Sequence, residues 1–171
     1  MSNVLTVDIF DRPTGLVSKE RAHAEGLLHR AFSVFIHDGE GNMLLQRRAL
    51  EKYHSGGLWS NACCSHPLEG TTISGQARER LAFELGIDCP LREVFTYTYF
   101  HRFSPVLAEY EFDHVLIGSI GRNAEPVFAP GEVMDHKWMS FEALADDIVR
   151  SPDSYSAWFL GTAGRVIAEI M

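Results

Sequence analysis

The amino-acid sequence predicts an α+β protein, a sandwich in which helices flank a mixed β-sheet. Three observations favour this class: several short segments alternate apolar and polar residues, one central segment has helical spacing, and the C-terminal segments are helical in pattern. The chain has 171 residues, of which 46% are hydrophobic, and this is enough for one packed core. Because no repeat, low-complexity tract or linker divides the sequence, we expect a single domain over residues 1–171.

The predicted strands have the alternation or the short apolar runs of sheet segments. In chain order they are "VLTVDIF", residues 28–37, "MLLQRRA", "LWSNACCSH", "REVFTYTYFHRF", "AEYEFDHVLIGSI" and "EVMDHKWMS". A turn is predicted at "DRPTG", directly after the first of them. The second and third form a hairpin, because "DGEGN" between them supplies Gly and Asn, which tolerate positive φ.

The predicted helices have cap residues or apolar residues at helical spacing. They are "KERAHAEG", "TISGQARERLAFELG", "FEALADDIV" and "SAWFLGTAGRVIAEIM". Ser18 is expected to cap the first of these helices. In the second, Ala77, Leu81 and Leu85 lie on one face and Gly86 stands where a left-handed cap is expected.

Composition narrows the function classes. The net charge of −8 and the pI near 5.4 repel polyanions, so we expect no nucleic-acid partner. No apolar run approaches the ~18 residues of a membrane span, and the start of the chain has no secretory pattern, so no membrane partner is expected. The odd number of cysteines, Cys63, Cys64 and Cys89, does not form a disulfide framework and predicts a cytoplasmic protein.

The segment "EYEFDH" places three carboxylates on one face of a strand, because residues two apart project to the same side. These are Glu109, Glu111 and Asp113. One interpretation is a solvated strand face. The other is a divalent cation that holds the like charges together, with three histidines as partners. The partner candidates are His23, His29 and His66, and their convergence is not visible in the sequence.

Two other groups of residues also have both a structural and a functional interpretation. Five cations flank the glycine-rich and cysteine segments and are either surface charges or a diphosphate site. They are Lys19, Arg47, Arg48, Lys52 and Arg80. Cys63 and Cys64 are either small buried apolar residues or, beside a metal or cation, a source of thiolate.

Together these segments resemble the type I isopentenyl diphosphate isomerases, a family of the Nudix fold group. The resemblance spans residues 14 to 160 and is carried by "HRAFSVFIHD", "LLQRRAL", "WSNACCSHPL", "RERLAFELGI", "AEYEFDHVL", "GEVMDHKWM" and the late "SAW". It implies a Nudix-like α/β/α sandwich and conversion of isopentenyl diphosphate to dimethylallyl diphosphate by protonation and deprotonation. It also implies a small-molecule substrate and a monomer or small homo-oligomer.

The resemblance further implies a role for each matching residue. The catalytic residues would be Cys64, Glu111, Tyr99 and Trp158, with Trp158 facing the hydrocarbon. The diphosphate would be bound by Lys19, Arg48, Lys52 and Arg80. A divalent ion, Mn²⁺, Mg²⁺ or Zn²⁺, would be bound by His23, His29, His66, Glu109 and Glu111. A second ion, Mg²⁺ at the diphosphate, would be bound by Glu84 and the carbonyl oxygen of Cys64.

A Nudix hydrolase of a nucleoside or isoprenoid diphosphate is the alternative. The segment "TISGQARERLAFELGI" has Glu79-Arg80 where the hydrolases have Arg followed by Glu, and it keeps only Glu84 of their paired glutamates. A hydrolase needs clustered carboxylates on that helix to hold metals and activate water, whereas an isomerase needs one to anchor the diphosphate. The degenerate motif therefore favours the isomerase.

Overall fold

The structure, a computed structural model, describes residues 3–123 and 126–171. The strands in these two stretches are β1 (Asn3–Val7), β2 (Pro13–Ser18), β3 (His29–His37), β4 (Asn42–Arg48), β5 (Trp59–Ser60), β6 (Cys63–Ser65), β7 (Leu91–Ser104), β8 (Leu107–Ser119) and β9 (Val133–Ser140). The helices are α1 (Lys19–Glu25), α2 (Ile73–Leu85), α3 (Phe141–Arg150) and α4 (Ala157–Ile170), with a short 3-10 turn at Pro152–Ser154.

Strand β3 is the centre of the sheet. Along its whole length it pairs in parallel with β8, from His29 beside Glu111 to His37 beside Ser119. Its other edge pairs in succession with β1, β6 and β4, all antiparallel. The sheet is therefore mixed and β3 contacts more strands than any other, which confirms the predicted α+β class.

Side chains that alternate along β3 and β8 fill two hydrophobic layers. On one face of the sheet Phe32 and Leu116 pack in a cluster with Leu81 of α2. On the other face Phe35 and Val115 pack in a cluster with α3 and α4. Helices thus cover both faces, as the sandwich prediction requires, and in the described part of the chain no helix is long and apolar enough to cross a bilayer.

Helix α2 begins and ends where its sequence predicts. The hydroxyl of Thr72 accepts a hydrogen bond from the Gly75 amide, and Gly86 terminates the helix at φ 66°. These local signals are strong because a cap side chain satisfies an otherwise unpaired amide, and glycine enters the left-handed region without a steric cost. The prediction for α2 is therefore confirmed.

The prediction for the first turn was wrong. We expected a strand through Phe10 followed by a turn over "DRPTG", but β1 ends at Val7 and β2 already begins at Pro13. The turn lies earlier because the Asp8 carboxylate accepts hydrogen bonds from the amides of Phe10 and Arg12. Proline can begin β2 because it lies on an edge strand, where one amide fewer is tolerated.

The segment "LWSNACCSH" also differs from the strand running into a loop that we expected. It forms two short strands, β5 paired with β4 and β6 paired with β3. Asn61 lies between them, and its side-chain amide donates to the carbonyl oxygens of Val34 and Cys63. This buried amide redirects the chain from one strand to another.

The two glycines of α4 give a matched test of its packing. A Cβ atom on Gly161 would overlap the hydroxyl and the ring of Tyr97, whose Cζ would lie 2.9 Å away, whereas a Cβ on Gly164 would meet nothing within 4 Å. We expect Gly164→Ala to raise the free energy of unfolding by up to about 1 kcal/mol through helix propensity. Gly161→Ala should lower it by about 1–2 kcal/mol through overpacking.

Chemical denaturation of both variants measures the two changes. Equal stabilisation of both proteins would show that α4 does not pack against Tyr97 as described.

Candidate active site and metal centre

A cavity of about 580 Å³ opens beside the ends of β3, β6 and β8. Every residue that the sequence predicted for the site lines it except His23 and His29, and both of these lie buried beside it. The lining residues among them are Lys19, Arg48, Lys52, Cys64, His66, Arg80, Glu84, Tyr99, Glu109, Glu111 and Trp158. Residues that are far apart in the chain therefore meet at one place.

Four of the predicted metal ligands form a compact cluster. One ligand atom from each of His23, His29, His66 and Glu109 lies within 4.8 Å of all the others. His23 and His29 meet although they are six positions apart, because α1 ends at Gly26 in the left-handed conformation (φ 65°) and the chain turns into β3. The change of structure between the two histidines is what their joint ligation requires.

Glu111 lies next to this cluster and completes its donor set. Its Oε1 is 3.0 Å from Nε2 of His66 and 3.7 Å from Nε2 of His29. Its Oε2 accepts a hydrogen bond of 2.8 Å from the hydroxyl of Tyr99, the residue paired with it on β7. One oxygen of Glu111 is thus held by Tyr99 and the other faces the histidines.

The donor atoms of the cluster fit a divalent ion. Nδ1 of His29 lies 2.8 Å from the Leu27 carbonyl oxygen, so this nitrogen carries the proton and Nε2 presents a lone pair. Nε2 of His23 and Oε2 of Glu109 are buried, lie 3.3 Å apart, and find no hydrogen-bond partner among the described residues. Buried polar atoms without partners are costly, and a cation between them removes that cost.

Burial also keeps His23 and His66 neutral, which is the form of histidine that binds metals. It lowers the pKa of His23 to about 3, with smaller contributions from His29 and His66. It lowers the pKa of His66 to about 4 against the opposing effect of Glu111. Three imidazoles and two carboxylates are a donor set typical of divalent metal sites.

In the protein without a bound cation, ionisation of Glu111 disfavours ionisation of Glu109. Burial, followed by repulsion from Glu111, raises the pKa of Glu109 to about 10. Burial also acts to raise the pKa of Glu111, but the contacts with His29 and His66 outweigh it and the pKa falls well below its ordinary value. Without a cation the pair therefore retains one proton. Burial, followed by Glu111, also raises the pKa of Asp113 on the same face.

Cys64 and Glu111 lie on opposite edges of β3. Cys64 of β6 pairs with Ser33, whereas Glu111 of β8 pairs with His29, four residues earlier on β3. Their backbones are therefore offset by about 13 Å along the strands as well as by about 10 Å, two strand spacings, across them. The thiol contacts Oγ of Ser33 at 3.4 Å and Nδ2 of Asn61 at 3.1 Å. Burial, followed by Asp113, raises the pKa of Cys64 to about 12, so the protein alone holds a thiol and not the thiolate.

Cations occupy the α2 side of the cavity. Lys52 and Arg80 both form ion pairs with Glu132, and Arg80 also pairs with Glu84. Glu84 accepts a further hydrogen bond from Gln46. Since burial raises the pKa of Glu84 against the effect of Arg80, this carboxylate depends on the positive charge next to it.

Arg48 lies between the cations and the apolar wall. Its guanidinium carbon is 5.0 Å from the centre of the Trp158 ring, and its buried Nε has no hydrogen-bond partner in the described residues. The indole nitrogen of Trp158 donates to Oδ1 of Asn61, which fixes the ring. The face of Trp158 therefore accepts a cation in this arrangement.

Two of the residues singled out in the sequence lie outside the site. Arg47 projects to the opposite side of β4 and covers the ring of Trp59 at 5.8 Å. Cys63 is fully buried in the core beneath α2. Their neighbours Arg48 and Cys64 line the cavity instead, because successive strand residues face opposite sides.

Sequence analysis missed several residues that contact the predicted ones. Besides Ser33 and Gln46, four of them lie in or next to the cavity. They are Tyr53, His54, Asn61 and Glu132. Tyr53 and His54 directly follow Lys52, in a segment whose polar pattern predicts only a loop. The one available signal was the run "KYH" beside a predicted phosphate ligand, and it does not indicate where the two rings lie.

Comparison with known proteins agrees with this geometry. The NUDIX domain pattern matches residues 27–159. Isopentenyl-diphosphate Delta-isomerase 2 of Aromatoleum aromaticum is 44% identical over 165 residues, which cover 96% of this chain and 86% of that protein. The protein of the same name from Photorhabdus laumondii is 45% identical over 156 residues, 91% of this chain and 87% of its own. The chain belongs to the isopentenyl-diphosphate Delta-isomerase family.

Solved structures show that this family member has the Nudix fold. A crystal structure of a Deinococcus radiodurans protein covers 99% of both chains with a TM-score of 0.73 and 16% identity. A MutT protein from Methanosarcina mazei covers 83% of this chain and 94% of its own, with a TM-score of 0.66 and 15% identity. At these identities the similarity concerns the fold alone, and it confirms the predicted Nudix-like sandwich.

A divalent ion should stabilise the protein through the histidine cluster. Excess Mn²⁺ added to metal-free protein is expected to raise the free energy of unfolding by about 2.7 kcal/mol at one hundred times the dissociation constant. That corresponds to roughly 2–4 °C in the melting temperature for each kcal/mol. His66→Gln should lose most of the shift, since it removes one ligand, whereas His37→Gln, at the far end of β3, should keep it.

Differential scanning fluorimetry with and without Mn²⁺ measures the shift in each protein. A shift of the same size in His66→Gln and in the unaltered protein would place the ion elsewhere.

Proposed function

We propose that the protein is an isopentenyl-diphosphate Delta-isomerase that converts isopentenyl diphosphate to dimethylallyl diphosphate. The observation that carries the proposal is the placement of Cys64 and Glu111 on opposite edges of β3, both lining one cavity. The reaction adds a proton to the terminal methylene and removes one from the methylene on the other side of the double bond. Two proton-transferring groups that face one cavity from different strands suit this chemistry.

The cationic end of the cavity supports a diphosphate substrate. We assign the diphosphate to Lys19, Arg48, Lys52 and Arg80, which all line the cavity. Glu84 and the carbonyl oxygen of Cys64 are proposed to bind a Mg²⁺ ion that accompanies the diphosphate. Guanidinium groups contact phosphate oxygens in pairs, and lysine supplies a mobile point charge.

The other end of the cavity supports the hydrocarbon and the developing positive charge. Trp158 presents its ring to the cavity, and a cation over a desolvated indole gains ~2 kcal/mol. A gain confined to the transition state corresponds to a factor of roughly 30 in rate. This factor is too small to account for protonation of an unactivated alkene, so positioning by the diphosphate and the proton-transferring pair carry most of the catalysis.

The two proton-transferring residues, Cys64 and Glu111, differ in their charge state. Cys64 holds its proton, because burial raises its pKa, whereas one oxygen of Glu111 is fixed by Tyr99 and the other faces His66. A divalent ion at the histidine cluster, Mn²⁺, Mg²⁺ or Zn²⁺, would supply positive charge that fixes the ionisation of Glu111. With Cys64 as a thiol and Glu111 ionised, Cys64 is the group that starts as the acid and Glu111 the base; the opposite assignment requires the Cys64 proton to move to Glu111 first.

A Nudix hydrolase was the alternative left by the sequence. On α2, Glu84 is held by Arg80 and Gln46, and the histidine cluster lies away from that helix, on α1, β3 and β8 and in the residue after β6. Of the two α2 carboxylates that line the cavity, Glu79 and Glu84, the buried Glu84 is thus engaged in an ion pair with Arg80. This arrangement favours the isomerase.

A cytoplasmic location and a monomer or small homo-oligomer stay predictions. The location is supported by the cysteines: all three are free, and none lies in a disulfide framework.

Purified protein with Mg²⁺ and Mn²⁺ in heavy water should convert isopentenyl diphosphate to the dimethylallyl isomer and incorporate deuterium. Proton NMR detects both through the new methyl signals and their isotope pattern. Cys64→Ala should abolish turnover, because no other group takes its place on β6, while isothermal titration still detects substrate binding. Release of phosphate would support the hydrolase instead, and an active Cys64→Ala protein would remove the thiol from the mechanism.

Variants of two adjacent arginines on β4 distinguish a specific phosphate contact from a general effect of positive charge. Arg48→Ala should raise the Michaelis constant by at least about tenfold, because a hydrogen bond to a charged group contributes roughly 1.5–3 kcal/mol. Arg47→Ala removes the same charge but on the face that covers Trp59, so its Michaelis constant should stay near that of the unaltered protein. Steady-state kinetics of the pair measures the difference, and equal effects would argue against a phosphate contact by Arg48.

A further inference from the structure

The loop that joins β4 to β5 brings two aromatic side chains to the metal centre. The loop is closed by hydrogen bonds from the amide of Arg48 to the Leu58 carbonyl and from Gly57 back to Arg48. At its tip Tyr53 and His54 lie with their rings 4.4 Å apart, edge to face. Neither residue takes part in the proposed reaction.

Tyr53 connects two of the metal ligands. Its hydroxyl oxygen lies 2.7 Å from Nδ1 of His23 and 3.3 Å from Oε1 of Glu109. The hydroxyl has one proton, so both contacts are hydrogen bonds only if His23 donates from Nδ1 and Tyr53 donates to Glu109. In that arrangement Nε2 of His23 has no proton and presents its lone pair to the cluster.

His54 acts on the same carboxylate from another side. Its Nε2 lies 2.8 Å from Oε1 of Glu109, and its Nδ1 lies 3.2 Å from the hydroxyl of Ser55. A neutral imidazole that accepts from Ser55 therefore donates from Nε2 to Glu109. The ring is fixed by stacking on Phe103, with centroids 4.4 Å apart, and by an edge contact with Trp158 at 5.7 Å.

The two donors occupy one oxygen of Glu109 and leave the other free. Oε1 faces both Tyr53 and His54, whereas Oε2 is buried, lies 3.3 Å from Nε2 of His23, and has no partner among the described residues. We propose that Tyr53 and His54 are positioning residues of the metal centre, which turn Oε2 of Glu109 and Nε2 of His23 toward the ion. This inference rests on the metal centre proposed above and not on the isomerase reaction.

The same loop carries Lys52, which lines the cationic end of the cavity. Three consecutive residues thus serve the diphosphate site and the metal centre. Outer partners of metal ligands typically contribute 10–100-fold to metal affinity, and we expect the two residues of this loop to fall in that range.

The test is Mn²⁺ affinity, measured on metal-free protein without substrate from the electron paramagnetic resonance signal of the free ion. Tyr53→Phe removes only the hydroxyl, and His54→Phe removes the donor while it retains an aromatic ring against Phe103. Each should weaken Mn²⁺ binding 10–100-fold. His54→Gln restores an N–H near the position of Nε2 and should recover most of the affinity, which a merely structural role of the ring would not do.

Two variants serve as matched controls. Tyr110→Phe removes a hydroxyl between Glu109 and Glu111 in sequence, but this side chain lies on the other face of β8 against Phe100. His37→Phe makes the imidazole-to-phenyl change about 26 Å along β3 from His29, at ~3.3 Å per residue. Both should bind Mn²⁺ as the unaltered protein does.

The outcomes separate this inference from the proposed reaction. Weaker Mn²⁺ binding in Tyr53→Phe and His54→Phe with unchanged melting temperature supports the positioning role even if no isomerase activity is found. Affinity within twofold of the unaltered protein in both variants, or no recovery in His54→Gln, overturns it. Absence of Mn²⁺ binding by the unaltered protein also overturns it, because there would be no centre to position.

Discussion

Two carboxylates that lie two residues apart on one buried strand face determine how this protein is built around its cavity. Glu109 and Glu111 project to the same side of β8, where water is largely excluded, and burial of two like charges is unfavourable unless a proton or a cation compensates them. Three histidines surround them, and His23 and His66, which burial holds neutral, contribute lone pairs but no charge. In the protein alone a retained proton compensates the pair, and a divalent cation would take over this role, which is why the cluster suits a metal ion.

The central strand β3 satisfies this requirement by its position. It begins with His29, beside Glu111 of β8, and four residues later Ser33 lies beside Cys64 of β6. One strand thus fixes the distance between the metal centre and the thiol. Its two faces also bear the hydrophobic layers beneath α2 and α4, so a change in the register of β3 would displace the core and the site together.

The extent to which the sequence predicts this arrangement depends on how local each signal is. Helix α2 could be predicted because Thr72 and Gly86 specify its ends within a few residues, and the carboxylate row could be predicted from strand periodicity. The turn before β2 could not, because Asp8 competes with the glycine and proline that follow it. Tyr53 and His54 were missed for a different reason. They precede Glu109 in the chain by 56 and 55 positions, and a polar loop pattern carries no information on such distant contacts.

The cations on the α2 side of the cavity also favour one orientation of the proposed substrate. Lys52 and Arg80 are held by Glu132, so a dianionic or trianionic ligand has to offer more charge than one carboxylate to take this place. In the proposed orientation the diphosphate lies near α2 and the hydrocarbon lies toward Trp158. The cations would then select the ligand by its charge, and the alkene would lie between the proposed acid, Cys64, and the proposed base, Glu111.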